Sequence, residues 1–205
     1  MKHDIKVSAE QAVQAASLLV TDEAIEFIDK ASTLILQTYE QSGKILIAGN
    51  GGSLCDALHF AEELTGFYRE KRKALPAIAL ADPAHISCVA NDLSYQDVFS
   101  RYLEALAAPK DLFVFMTTSG NSPNIIKAVS TAQQMGLKTI GFLGKDGGKL
   151  KGCADLEWIV SGFKYSDRIQ EAHMSAIHII IEILEKKLAQ KEQMLSKPSL
   201  LFAAS

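Results

Sequence analysis

The chain has little cysteine, and the cysteines it has are not spaced for a structural role. Cys55, Cys88 and Cys153 are odd in number, widely separated and without a C-x-x-C pair. Disulfide scaffolds and thiolate zinc sites both need cysteines in characteristic close sets. The sequence therefore indicates neither a disulfide framework nor a thiolate zinc site, and it predicts three reduced thiols.

An excess of basic residues and long apolar runs are also missing. The 205 residues include 21 Lys and Arg against 24 Asp and Glu, a net charge of −3. Proteins that bind nucleic acids or membrane surfaces usually present a basic patch or stripe. No apolar run approaches a membrane span, and the polar segment 1–10 does not resemble a signal peptide. We therefore expect a cytoplasmic protein that binds no nucleic acid and no membrane, and whose partner is a small molecule or another protein.

What the chain does contain is an alternation of short apolar segments with helical patterns. Apolar residues at helical spacing predict helices over about 8–19 and 21–42, and a last helix over about 167–189. The predicted strands are 45–48, 77–80, 112–116, 139–143 and 157–160. This alternation predicts a single α/β domain with a parallel sheet covered by helices on both faces. Its expected parts are N-terminal helices (1–42), an α/β core (43–165), a C-terminal helix (166–190) and a tail (191–205).

The most informative segment is ILIAGNGGSLCDALHFAEE, residues 45–63, where a strand, a glycine-rich turn and a helix follow one another. His59 and Glu63 are four residues apart, so they share a helix face and can act as an acid–base pair or as metal ligands. Each alone is more typical of an ordinary core histidine or a solvated glutamate, but their shared face beside the turn favours function. A nucleotide site is not indicated, because Leu54 replaces the third glycine of a dinucleotide fingerprint and no P-loop lysine follows.

A second segment, LFVFMTTSGNSPN at 112–124, leads from a buried strand into hydroxyl residues. Ser122 and Pro123 are expected as the N-cap and first residue of a helix, where free N–H groups and the helix dipole attract anions. The hydroxyl donors would be those of Thr117, Thr118, Ser119 and Ser122. Taken alone, this composition fits a capped loop equally well. Because this loop and the turn at 49–53 both follow parallel strands, we expect them to face one crevice.

A third segment, SDRIQEAHMSAIH at 166–178, opens the last helix. Gln170 and His178 lie about 80° apart around a helix, whereas Glu171 and His178 align better on one stripe. The spacing therefore leaves open whether Gln170 or Glu171 is the functional partner of His178. The continuation IHIIIEIL (177–184) is apolar on most of its circumference, which predicts a helix that packs between subunits.

Several other features are interpreted as structural. The segment GKDGGK at 144–149 lacks the upstream glycine and the trailing Ser or Thr of a P-loop, so we expect a surface turn. His3 is expected at a solvated terminus, His85 in a loop or at a helix start, and His173 in a structural role. His178, in contrast, sits among isoleucines and must either find a hydrogen-bond partner or serve a site.

Together these segments resemble the phosphoheptose isomerase family of sugar isomerase (SIS) domain proteins. The matching segments are GNGGSLCDALHFAEELTG (49–66), HISCVANDLSYQDVFSRY (85–102), TSGNS (118–122), GKDGGK (144–149) and DRIQEAHMSAIH (167–178). The resemblance covers nearly all of the chain up to Lys191. It implies a doubly wound, flavodoxin-like, five-stranded parallel sheet flanked by helices, with N-terminal helices and a long C-terminal helix. It also implies a homotetramer with active sites at subunit interfaces.

The resemblance implies roles for individual residues as well. Glu63 would be the base and His178 the acid of proton transfer. One zinc ion per subunit would be held by His59, Glu63, Gln170 and His178, which selects Gln170 over Glu171 by resemblance alone. The implied substrate-binding residues are Asn50, Gly51, Gly52, Ser53, Glu63, Asn91, Asp92, Thr117, Thr118, Ser119, Ser122, Asp167 and Gln170. At Thr117 the family commonly has Ser, so this chain keeps the hydroxyl and adds a methyl that stiffens the side chain.

The implied reaction interconverts sedoheptulose 7-phosphate and D-glycero-D-manno-heptose 7-phosphate through an enediol, for the heptose precursor of lipopolysaccharide. Whether Glu63 acts as base, zinc ligand or both is left open, because metal ligation lowers the basicity of a carboxylate. The alternative function is a non-catalytic SIS scaffold that binds a replication initiator. Such relatives lack the full acid–base set, so the presence of Glu63 and His178 favours the enzyme. A sugar-phosphate sensor is a third hypothesis.

Overall fold

The computed structural model describes residues 1–196, in which five parallel strands form one sheet with the order β2-β1-β3-β4-β5. The strands are β1 (Ile45–Gly49), β2 (Ala77–Ala79), β3 (Leu112–Thr117), β4 (Lys138–Gly144) and β5 (Leu156–Val160). This is the doubly wound, flavodoxin-like strand order, so the predicted fold class is confirmed. Every predicted strand is present, and each end lies within one residue of its predicted position.

Helices cover both faces of this sheet. They are α1 (Lys2–Ser17), α2 (Asp22–Glu40), α3 (Gly52–Thr65), α4 (Pro83–Asp92), α5 (Val98–Leu106), α6 (Pro123–Gln134) and α7 (Ser166–Ser196). Alternate residues of the central strands enter two apolar cores: Ile45 and Ile47 face the core shared with α2, α3 and α7, whereas Leu46 and Ala48 face the core shared with α5 and α6. Burial on both faces explains why these strands are continuous apolar runs.

The ends of the first and last helices differ from the prediction. Helix α1 begins at Lys2 rather than at residue 8, and α7 continues to Ser196, so the predicted tail at 191–205 starts inside a helix. The remainder of that tail, 197–205, lies outside the described residues. Residues 2–7 and 190–194, which the prediction missed, are exposed and mostly polar. They show no apolar periodicity from which a helix could be predicted, although Lys, Glu and Gln favour helix.

The apolar circumference of α7 is partly explained within one subunit. Ile177, Ile180 and Ile181 are fully buried against the sheet and neighbouring helices, whereas Ile179 and Ile183 are only half-buried. Only the second pair is therefore available for the predicted contact between subunits. None of the helices in residues 1–196 combines the length and apolar composition that crossing a bilayer requires.

The segment at 144–149 forms a structural turn, as predicted. Gly147 has a positive φ of 84°, and its carbonyl approaches Gly120 so closely that a Cβ on Gly120 would lie 1.8 Å from it. The backbone N–H of Lys149 donates to Oδ1 of Asn121 at 3.2 Å. This turn therefore supports the loop that follows β3.

His173 has the structural role that we expected. Its ring is fully buried, Nε2 is 2.9 Å from the Leu143 carbonyl, and Nδ1 has no hydrogen-bond partner within residues 1–196. Burial lowers the pKa of His173 to about 4, only partly opposed by the bond to Leu143. The folded protein therefore keeps this imidazole neutral at a pH where the unfolded chain protonates it.

This difference predicts a loss of stability in mild acid. Below the ordinary pKa of about 6.5, the unfolded state binds a proton at His173 that the folded state does not. The free energy of unfolding therefore decreases as the pH is lowered from about 6.5 toward 4. Between pH 7.5 and pH 5 this contribution is expected to be about 2 kcal/mol. Urea unfolding at both pH values, in the wild type and in His173→Leu, measures it. The variant should lose less stability on acidification than the wild type, and equal losses would contradict the prediction.

Candidate active site

A cleft of about 160 Å³ opens at the carboxyl edge of the sheet. The turn between β1 and α3, the loop between β3 and α6, and the start of α7 meet there. The lining residues are Asn50, Ser53, Met116, Thr117, Thr118, Ser119, Ser122, Ser166 and Gln170. The two segments that we expected to face one crevice do so.

Three helices begin at this cleft. Gly52 is the first residue of α3, Ser122 is the N-cap of α6, and Ser166 is the first residue of α7. Helix N-termini expose unpaired N–H groups and the positive end of the helix dipole. Of the described residues that line the cleft, none is Lys or Arg. An anion bound here would therefore be held by backbone N–H groups and hydroxyls, as in many phosphate sites.

The loop between β3 and α6, residues 118–122, which we call the hydroxyl loop, is held in shape by side-chain hydrogen bonds. Oγ1 of the buried Thr117 accepts from the Gly120 N–H at 3.2 Å and lies 3.4 Å from Oγ of Ser122. Oγ1 of Thr118 lies 2.9 Å from Oγ of Ser166, which joins the loop to α7. The predicted N-cap position of Ser122 is confirmed.

An amide pair fixes the glycine-rich turn against α6. Nδ2 of Asn50 donates to Oδ1 of Asn124, and Nδ2 of Asn124 donates back to Oδ1 of Asn50, both at 2.9 Å. Tyr95 donates its hydroxyl to the same Oδ1 of Asn50 at 3.0 Å. Asn124 is only 2% exposed, so a buried polar contact couples the turn to the helix that carries the hydroxyl loop.

A second group of side chains lies farther along α3 and α7. His59, Glu63 and His178 each offer one ligand atom, and these three atoms all lie within 4.8 Å of one another. Nε2 of His59 is 3.3 Å from Oε1 of Glu63, and the two imidazole rings have centroids 5.1 Å apart. We call these three residues the His–Glu–His cluster. The shared helix face of His59 and Glu63, inferred from their spacing, is present.

Burial and charge set the protonation states around the cluster. Burial lowers the pKa of His178, and the neighbouring His59 and Arg69 lower it further against the opposing effect of Glu63. Its imidazole is therefore neutral at pH 7. On the turn before His59, burial raises the pKa of Asp56 to about 6, against the effect of His59. Oδ2 of Asp56 is buried without a hydrogen-bond partner in the described part of the chain.

Comparison with known proteins gives the family. The SIS domain model matches residues 10–144. The phosphoheptose isomerase of Vibrio cholerae is 54% identical over 171 residues, covering 83% of this chain and 90% of that protein. That of Proteus mirabilis is 52% identical over 179 residues, covering 87% and 93%. The chain belongs to the SIS domain family, among the phosphoheptose isomerases.

Solved structures of this isomerase family share the fold. A phosphoheptose isomerase from Francisella tularensis has a TM-score of 0.84 at 31% identity, covering 90% of this chain and 97% of that one. One from Neisseria gonorrhoeae has a TM-score of 0.78 at 34% identity, covering 90% and 96%. The similarity in fold therefore extends beyond the motifs, over most of the length of this chain and of both solved chains.

Some of the residues that the family resemblance assigned to the substrate line the cleft, and others lie apart from it. Asn50, Ser53, Thr117, Thr118, Ser119, Ser122 and Gln170 line the cleft. The carboxamide of Gln170 also explains Gly52, where a Cβ would lie 2.6 Å from Nε2 and Oε1. Glu171 is exposed and pairs with Arg168, so Gln170 is the residue that faces the site.

Other assigned residues lie apart from the cleft lining. Asn91 and Asp92 are exposed at the end of α4, where Nδ2 of Asn91 donates to Oδ1 of Asp92 at 2.7 Å. Asp167 is exposed in the first turn of α7 and accepts from the Arg168 N–H at 2.9 Å. Gln170 and His178, both assigned to zinc, are two turns apart, about 12 Å along the helix axis.

Sequence reasoning did not find Asn124, Tyr95 or Ser166. Ser166 could have been found, because a serine at the start of a helix after a parallel strand lies at the ligand-binding edge of the sheet. The contacts of Asn124 and Tyr95 join segments that are distant in the sequence, and their local patterns carry no such signal.

Proposed function

We propose that the chain interconverts sedoheptulose 7-phosphate and D-glycero-D-manno-heptose 7-phosphate, as a step toward the heptose precursor of lipopolysaccharide. The observation that carries the proposal is the pairing of Glu63 with His178, two helical turns from a cleft built at three helix N-termini. The names of the relatives support the substrate. An extended seven-carbon sugar with a terminal phosphate can bridge the distance between cleft and cluster.

In the proposed reaction, the phosphate is bound in the cleft and orients the carbonyl end toward the cluster. Glu63 removes a proton from C1 of the ketose, and an enediol forms. The neutral imidazole of His178 donates a proton to the carbonyl oxygen at C2. Glu63 then returns its proton to C2, and His178 recovers a proton from the hydroxyl at C1 as the aldose carbonyl forms. Each such acid or base contributes about 10²–10⁴-fold to the rate.

The cluster also has the composition of a zinc site. Two imidazoles and one carboxylate lie close together, and a neutral imidazole is the form of histidine that binds metal. We propose one zinc ion per subunit, held by His59, Glu63 and His178. Gln170, the fourth ligand implied by the family resemblance, lines the cleft two helical turns from His178, so the three residues of the cluster define the proposed site within one subunit. A bound zinc ion supplies Lewis-acid stabilisation of negative charge on oxygen.

Metal dependence is testable on the whole protein. Chelation is expected to lower turnover at least about 10²-fold, because removal of zinc would remove the strongest stabilisation of the negative charge that develops on the substrate oxygen. Added zinc is expected to restore turnover. His59→Ala should lose bound zinc by elemental analysis, whereas the exposed neighbour variant Glu62→Gln should retain it. Full turnover in protein verified to be free of metal would contradict the zinc proposal.

The phosphate site makes a separate prediction. Thr118→Val and Ser122→Ala should each lower kcat/KM for the sugar phosphate by about 10- to 100-fold, mainly through KM, because each removes a hydrogen bond to a charged group. Ser130→Ala, an exposed serine farther along α6, is the matched control. Steady-state kinetics on all three variants measure the effect. An unchanged KM in both loop variants would contradict the proposal that the phosphate binds at this loop.

We also propose a cytoplasmic homotetramer with active sites at subunit interfaces. The side chain of His59 is 41% exposed in the single subunit. Leu58 and Phe67, in and just after the helix that carries His59, are large apolar residues left about half exposed. A second subunit covering this surface would bury both and exclude water from the cluster. Cys55 and Cys88 are free and exposed, which supports a reducing compartment.

A further inference from the structure

A buried carboxylate on α7 anchors the segment between α3 and β2. Glu185 is 7% exposed and lies seven residues after His178, on the same stripe of the helix. It accepts hydrogen bonds from the backbone N–H groups of Tyr68 and Arg69 at 3.1 Å and of Glu70 at 3.3 Å. A glutamate this deeply buried must be fully hydrogen-bonded, so its position specifies the conformation of the segment.

Arg72 completes the anchor. Its Nε donates to Oε1 of Glu185 at 2.9 Å, and the side chains of this ion pair are 11% and 6% exposed. The guanidinium also donates to carbonyls at the end of α3, those of Glu63 at 2.8 Å, Leu64 at 2.9 Å and Gly66 at 3.2 Å. These are carbonyls that a helix end leaves without intrahelical partners. The end of α3 that carries Glu63 is thus tied to α7.

The anchored segment places an aromatic ring against the cluster. The rings of Tyr68 and His178 are stacked, with centroids 5.6 Å apart and an interplanar angle of 16°. The guanidinium carbon of Arg69 lies 5.3 Å from the Tyr68 ring centroid, and Arg69 pairs with Glu182 at 2.8 Å. One side of the His178 ring is therefore covered by a residue whose backbone Glu185 holds.

We propose that Glu185, Arg72 and Tyr68 are positioning residues for proton transfer. Glu185 and Arg72 form a clamp that fixes the segment, and Tyr68 restricts the orientation of the His178 imidazole relative to Glu63. This inference rests on the proposed function. The clamp acts at the reacting end, two turns along α7 from the residue that faces the cleft, so its loss lowers kcat and leaves the binding of the phosphate end intact.

The predicted effect is a split between kcat and KM. Glu185→Gln replaces one acceptor oxygen with an NH₂ group facing other donors, and kcat should fall about 10- to 100-fold, because small misplacements of reacting groups cost this much. Tyr68→Ala should give the same fall, Tyr68→Phe should restore most of the rate, and KM should stay within about threefold in all three. Glu40→Gln, which breaks the exposed ion pair of Glu40 with Lys191 near the other end of α7, is the matched control.

Hydrogen exchange of the amides at 68–70 tests the clamp independently of activity. In Glu185→Gln these amides should exchange at least about tenfold faster, while the amides of β1 and β3 keep their protection. Unchanged kcat in both Glu185→Gln and Tyr68→Ala, or a rise in KM without a fall in kcat, would overturn the proposal. If the wild type does not turn over the sugar phosphate, the proposed function fails, and the exchange rates still decide the clamp: equal rates in wild type and Glu185→Gln reject it.

Discussion

Glu63→Gln is expected to lower kcat for sedoheptulose 7-phosphate by about 10²–10⁴-fold. The substitution keeps the size of the side chain and removes its ability to take a proton. The Glu63 side chain is 18% exposed and pairs with His59, so the fold should not depend on its charge. Steady-state kinetics with the metal content of each preparation determined alongside give the measurement.

The neighbouring carboxylate provides a matched control. Oε1 of Glu62 is also near Nε2 of His59, at 3.7 Å, but its side chain is 67% exposed. Glu62→Gln changes the helix charge in the same way and should leave kcat within about twofold, because an exposed ion pair contributes little. A Glu63→Gln enzyme as fast as the wild type would remove Glu63 from the mechanism.

His178→Gln is expected to produce a loss of similar size, about 10²–10⁴-fold in kcat with little change in KM. Glutamine can still donate a hydrogen bond, but it cannot give up and recover a proton. Because Glu63 and His178 act on one intermediate, the double variant should be little slower than the slower single variant. His3→Gln, at an exposed position on α1, is the control for a histidine substitution.

Additive losses would indicate independent roles. If the double variant loses the product of the two single effects, the residues do not act as a unit, and the paired mechanism is wrong. Rates of the four proteins, measured under one set of conditions, decide between these results.

Local pattern was enough to predict the sheet and the edge where the site lies. The central strands β1 and β3 are buried at every residue, so their sequences are short apolar runs whose ends are marked by Gly49 and Thr117. Ser122 and Pro123 mark the start of α6 by standard capping preferences. Once the strands are taken as parallel, both loops must lie at one edge, and the shared cleft follows.

The remaining features depend on contacts between distant segments. A glutamate in a helix, such as Glu185, is usually exposed to solvent. Here Glu185 is buried, and it accepts hydrogen bonds from backbone N–H groups more than 110 positions earlier in the chain. The Asn50–Asn124 hydrogen bonds form because β1 and β3 are neighbours in the sheet. The order of the strands in the sheet cannot be predicted from the local sequence. Asn91 and Asp92 were assigned by resemblance only, and their place in the site stays a prediction.

The most direct test of the central claim is conversion of sedoheptulose 7-phosphate by the purified wild-type protein in D₂O, followed by NMR. The account predicts formation of the aldose 7-phosphate with solvent deuterium at C2, since a proton held by Glu63 can exchange with solvent before it returns to carbon. Binding of the sugar phosphate without conversion would favour the sensor or the scaffold hypothesis. Conversion without any deuterium incorporation at C2, even over many turnovers, would contradict the enediol route.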